Sequence, residues 1–186
     1  MKGGTLILLM LGLLFTDSLG YAEEAHRYPS PNRKYLALVI ALPKAQYGSG
    51  ESKIELRTSN GSILCAKNYG SEDGEHGFRV EHSAWTPDSQ FFVYSMSSSG
   101  GHQAWHAPIY FIWVGDFKIR SLDSYVGSIT DPNFKVSSPN IIKGISSMKG
   151  DLEQKPFKVK LTELVPKEGQ LRYPTNKPSG GVNTPR

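Results

Sequence analysis

Trp85-Thr86-Pro87-Asp88-Ser89-Gln90-Phe91-Phe92-Val93-Tyr94-Ser95-Met96 is the stretch that decides the fold. Thr86 to Gln90 gathers residues that favour a tight turn, and the apolar run that follows is strand-length and rich in aromatic and β-branched groups. It reads as a buried strand. Downstream, Ser97 to Ala107 is a polar, glycine-bearing loop, and Pro108 then introduces a second apolar strand, Ile109-Tyr110-Phe111-Ile112-Trp113-Val114. Gly115-Asp116 turns the chain into Lys118-Ile119-Arg120-Ser121-Leu122, which alternates as a half-exposed strand should.

The same grammar occurs earlier in the chain. Pro29-Ser30-Pro31-Asn32 is a turn cluster that opens onto a buried strand over 34–42, ended by Pro43. A flexible loop over 46–50 leads to the alternating Ile54-Glu55-Leu56-Arg57, and Asn60-Gly61 suits a two-residue hairpin returning through Ile63-Leu64-Cys65-Ala66. Pro31 and Pro87 lie 56 residues apart, and in both halves the alternating or aromatic strand is reached 23 residues after the proline, at Ile54 and Tyr110. A fixed period of this kind predicts one supersecondary unit used twice, each a small antiparallel sheet.

Outside these units the signals weaken. Residues 123–150 read as irregular connection with a short helix or strand near Ile141, and Phe157 to Val165 alternates cleanly enough for a closing strand. From Pro166 to Arg186 there is little to bury, and a disordered tail is expected. At the other end, Lys2 and the apolar run Thr5 to Phe15 predict a secretory signal peptide over 1–22, cleaved after Ala22. That run is short for a membrane span, which needs roughly 20 apolar residues. The expectation is therefore an exported, periplasmic or extracellular β domain over 23–165, with no span left after cleavage.

The residues at the two turns resemble a known signature. Ser30-Pro31-Asn32-Arg33-Lys34-Tyr35-Leu36-Ala37 and Trp85 to Tyr94 are similar to the S-P-D-G-K turn and following hydrophobic strand of TolB-type β-propeller blades, a likeness covering roughly residues 28–122. In that family the motif is structural, so the resemblance implies a β-sheet scaffold and a role in protein contacts. Known propellers close a ring of about four to eight blades, whereas this chain supplies two or three. An all-β fold of two or three blade-like antiparallel sheets is expected, packed face to face as a sandwich-like or partial-propeller body in preference to an assembly of copies.

Composition narrows the chemistry. With 38% hydrophobic and 20% charged residues, the chain as a whole is no disordered tail, no collagen and no multi-span membrane protein. Its net charge of +4 is mild and scattered, and the basic stretch Lys155, Lys158, Lys160, Lys167 is interrupted by Glu163 and Glu168, which reads as a solvated face. Neither nucleic acid nor a cofactor is expected. A single cysteine, Cys65, excludes an internal disulfide, and its apolar neighbours make it a small buried hydrophobe.

The candidate site is the 97–107 loop, where Gln103, Trp105, His102 and His106 stand together between two strands. An indole in a polar loop suits contact with a partner, because its flat apolar body and N–H handle are both accessible. The expected role is a binding module for a protein partner in the cell envelope, without catalytic residues. The alternative is a metal-binding protein or metal-dependent hydrolase using His76, His82, His102 and His106, four of the five histidines, within 31 residues. No HExxH or G-x-S-x-G pattern accompanies them.

Overall fold

The computed structural model describes residues 24–43, 50–101, 103, 105–147 and 153–166. The segment read as a signal peptide, most of the 46–50 loop, His102 and the tail beyond Pro166 lie outside the described residues. Three four-stranded antiparallel sheets carry the fold. The first is a meander of β1 (Ala25–Pro29), β2 (Tyr35–Ala41), β3 (Ser52–Thr58) and β4 (Ile63–Asn68). The second repeats it with β5 (Phe78–Trp85), β6 (Phe91–Ser98), β7 (Ile109–Trp113) and β8 (Ile119–Ser121). After a single helical turn, α1 (Asp123–Val126), the third contains β9 (Ser128–Ile129), β10 (Lys135–Ser137), β11 (Ile141–Ser147) and β12 (Gln154–Lys160). Both β9 and β10 pair with β11, at its two ends, and β12 forms the far edge.

The second sheet is the middle layer, which explains why β6 is apolar without alternation. Phe92, Tyr94, Met96 and Ile112 point at Ala37, Val39, Ile54 and Leu56 of the first sheet. Phe91, Val93, Ile109, Phe111 and Trp113 point the other way, at Ile129, Phe134, Ile142 and Leu161. Cross-strand partners agree, with Phe91 opposite Trp113, Phe92 opposite Ile112 and Val93 opposite Phe111. Each fully buried side chain of this size contributes about 1.5–3 kcal/mol, so both faces of β6 stabilise the stack. Trp85 adds a polar tie, its indole N–H donating to the Tyr28 carbonyl of the first sheet at 2.8 Å.

The matched prolines sit in matched turns. Ser30 Oγ donates to Asn32 Oδ1 at 2.8 Å and accepts the Tyr35 N–H at 3.0 Å. Thr86 Oγ1 donates to Asp88 Oδ1 at 2.6 Å and accepts the Phe91 N–H at 3.0 Å. Arg33 and Ser89, again 56 residues apart, hold φ of 59° and 61°. The two turns also touch, since the Asn32 N–H donates to Ser89 Oγ at 3.0 Å.

Four expectations are corrected. The 123–150 region holds α1, the two short strands β9 and β10 and all of β11, so it forms much of a third sheet and not merely a connection. The closing strand begins earlier and stops at Lys160, where a 3₁₀ turn over Leu161–Glu163 buries Leu161 and takes Leu164 and Val165 out of the sheet. β6 runs on through Ser98, which shortens the loop before β7. The first hairpin loop spans Ser59 to Ser62, with the Thr58 N–H donating to the Ser62 carbonyl at 2.9 Å, and of the Asn60-Gly61 pair only Gly61 holds a positive φ, 95°.

Candidate functional site

The loop between β6 and β7 leaves the middle sheet at Ser99 and returns at Pro108. Its far end is fixed by backbone bonds, the His106 N–H to the Gln103 carbonyl at 2.9 Å and the Ala107 N–H to the Ile129 carbonyl at 2.8 Å. Within this frame Trp105 is 66% exposed, while Trp85 is partly buried and Trp113 is in the core. Its indole stacks on the His106 ring, with centroids 5.6 Å apart and planes 26° from parallel. Gln103 is exposed beside it.

His106 is held in turn by a residue that no sequence pattern singles out. Asp123, at the start of α1, lies with Oδ1 2.7 Å from His106 Nε2. The same carboxylate accepts the Ile129 N–H at 3.1 Å and the Ile109 N–H at 3.2 Å. An ionised carboxylate only accepts, so the imidazole donates from Nε2. The Asp123 side chain thus joins β7, α1, β9 and the loop at one point. Tyr125, half exposed on the same helical turn, adds a second surface aromatic, and its hydroxyl reaches the Leu164 carbonyl at 3.4 Å.

The histidines singled out for metal do not share an environment. His76 Nδ1 contacts Asp73 Oδ2 within the exposed loop after β4, and His82 sets its ring edge-on to Phe134 at 4.6 Å. His106 is engaged by Asp123, and His102 is outside the described residues. Among the described residues no group of three or more His, Cys, Asp or Glu side chains is placed to hold a metal ion. Cys65 is half-buried at the interface of the first two sheets, and burial pushes its thiol pKa up, away from the thiolate that reactivity requires.

A second buried anchor shapes the other end of the same loop. Glu51, only 3% exposed, accepts hydrogen bonds from the Ser71 N–H at 2.7 Å, Ser71 Oγ at 2.6 Å, the Gly77 N–H at 2.6 Å and Ser99 Oγ at 2.9 Å. Burial alone would raise its pKa, but the bonds from Ser71, Ser99 and Gly77 together outweigh it and hold the carboxyl below its ordinary range. A Cβ at Gly77 would sit 2.3 Å from the Tyr69 carbonyl oxygen and 2.5 Å from Glu51 Oε1, so the cradle requires glycine there. The loop between β6 and β7 is therefore anchored by Glu51 where it begins and by Asp123 where it ends.

No protein-family model, curated protein or solved structure matches this chain.

Proposed function

We propose that this chain is an exported, non-catalytic binding module whose three-sheet scaffold presents the loop between β6 and β7 to a protein partner in the cell envelope. The observation that carries the reading is Trp105: a large apolar ring left in solvent, backed by a stacked imidazole that Asp123 holds in place. Exposing an indole forgoes burial free energy of about 2–3 kcal/mol, and bracing it limits the side-chain entropy lost when a partner covers it. Aromatic anchors of this kind dominate many protein interfaces. The paired turns and repeated meanders support the resemblance to TolB-type blades, and three units in one chain fit a partial propeller.

Photo-crosslinking tests the role directly. A photoreactive residue in place of Gln103 should trap an envelope protein in intact cells, and Trp105→Ala in the same chain should abolish the adduct while the melting temperature stays within about 2 °C of wild type. An undiminished adduct, or a chain that unfolds without the indole, contradicts the proposal. Elemental analysis of tag-free protein checks the metal alternative, which stoichiometric zinc would put in its place.

A further inference from the structure

The register of the third sheet brings together lysines that are scattered in sequence. Lys135 on β10 lies directly opposite Lys143 on β11, and Lys143 directly opposite Lys158 on β12. Lys160, two residues beyond Lys158, shares their face because side chains alternate along a strand. Val136, Ile142, Phe157 and Val159 point the other way, into the core, so the lysines stand on the outer surface of the stack. All four are exposed, and none takes part in an ion pair among the described residues.

A row of like charges across three strands costs stability. Neighbouring strands are about 4.8 Å apart, so three ammonium groups share a span of about 10 Å, close to the Debye length at physiological salt. Lysines on β12 also guard an open sheet edge against pairing with other chains, but Lys143 is on an interior strand and guards nothing. The other strand positions on this face, among them Ser137, Ile141, Ile145, Gln154 and Pro156, carry no charge, so the charged side chains that the paired strands present here are all cationic; Glu153 shares the parity of Lys155, with which it pairs, on the opposite side.

We propose that this face docks on an anionic lipid bilayer, with Lys135, Lys143, Lys158 and Lys160 meeting the headgroups. The partner class follows from what the face displays. Its cations are all lysines, compact point charges without the planar fork that guanidinium offers a single phosphate or carboxylate. It presents no aromatic side chain on which a nucleic acid base would stack. Between the charges lie Ile141, Ile145 and the exposed Pro156, small apolar groups suited to the shallow interface of a bilayer. A basic residue near an anionic leaflet gains roughly fivefold in partitioning, so the four together account for about 600-fold.

Vesicle flotation of the full chain tests this, using phosphatidylcholine vesicles with and without phosphatidylglycerol. The apolar run Thr5 to Phe15 contributes similarly to both, so the readout is the ratio between them. Wild type should favour the anionic vesicles about 600-fold at low salt, and the preference should vanish near 1 M salt, where the Debye length is about 3 Å. The triple variant Lys135→Gln, Lys143→Gln, Lys158→Gln should keep only the roughly fivefold preference due to Lys160 and should melt at or slightly above the wild-type temperature, because the like-charge row is gone. Should that variant fail to fold, Lys143→Gln alone should reduce the ratio about fivefold. Equal binding of wild type to both vesicles, or a preference that survives the substitutions undiminished, overturns the proposal. So does binding to soluble polyglutamate without binding to vesicles, which would make an acidic protein the partner.

Discussion

Asn140 Nδ2 donates to Asp88 Oδ2 at 2.6 Å, tying the turn that opens β11 to the turn that opens β6. Asp88 meanwhile accepts from Thr86 Oγ1 at 2.6 Å and from the Gln90 N–H at 3.1 Å, and Asn140 is 3% exposed. Asp88→Ala therefore strands a buried amide as well as opening a turn, and should cost about 1–3 kcal/mol in urea unfolding. Asn32→Ala, at the equivalent but exposed position of the first sheet, should cost less, about 0.5–1 kcal/mol. Equal losses would mean that the turns are not coupled through Asn140.

Arg33 is exposed and holds φ at 59°, a conformation that costs an L-residue roughly 1–2 kcal/mol and glycine almost nothing. Glycine loses more freedom on folding, so Arg33→Gly should stabilise the chain by about 0.5–1 kcal/mol in the same assay. Ser89→Gly, at φ 61°, should gain nothing, because Ser89 Oγ accepts the Asn32 N–H.

Glu51 makes a pH prediction whose sign follows from its lowered pKa. A carboxyl held below its ordinary value of 4.5 contributes stability that is fully present above that value and is lost as pH falls through the lower, folded value. Glu51→Gln should reduce stability at pH 7 by about 1–3 kcal/mol and flatten the decline that wild type shows below about pH 4.5. Unfolding curves at pH 7, 5 and 3 measure both; an equally steep acid decline in the variant would assign it to other carboxylates. Glu55 is one of these, since its bonds and charge pairing with Lys53 and Arg57 also lower its pKa against the opposing effect of burial.

What could be read from the sequence was local. The turn residues at 30–33 and 86–89 declare themselves through side-chain chemistry, and β2, β6 and β7 through continuous apolar runs. β1 escaped because Ala25-His26-Arg27-Tyr28-Pro29 is a mostly exposed edge strand whose order comes from pairing with β2. β5 escaped because the register shift between Val80 and His82 breaks its alternation. In the third sheet, two-residue and three-residue strands carry no period to detect. Trp105 could be selected as an indole among polar residues, but its brace could not: Asp123 is 17 residues from His106 and becomes its partner only through the β7–β8 hairpin. The lysine row is likewise a product of cross-strand register.

His106 separates bracing from folding. His106→Ala removes the ring behind Trp105 but leaves the Asp123 carboxylate its bonds from Ile109 and Ile129, so stability should stay within about 1 kcal/mol of wild type while crosslinking through position 103 weakens. Asp123→Ala should cost about 1–3 kcal/mol as well, because it strands two backbone donors. Indistinguishable unfolding of the two variants would show that the carboxylate has no structural role.

The contact loop and the lysine face hold their positions only if the second sheet lies between the other two. Phe91 and Phe92 test this, being adjacent in sequence, both fully buried, and directed to opposite layers. Urea unfolding of Phe91→Ala and Phe92→Ala should give losses of about 3–5 kcal/mol for each. A large loss for one and less than about 1 kcal/mol for the other would place β6 at a surface and contradict the three-layer stack.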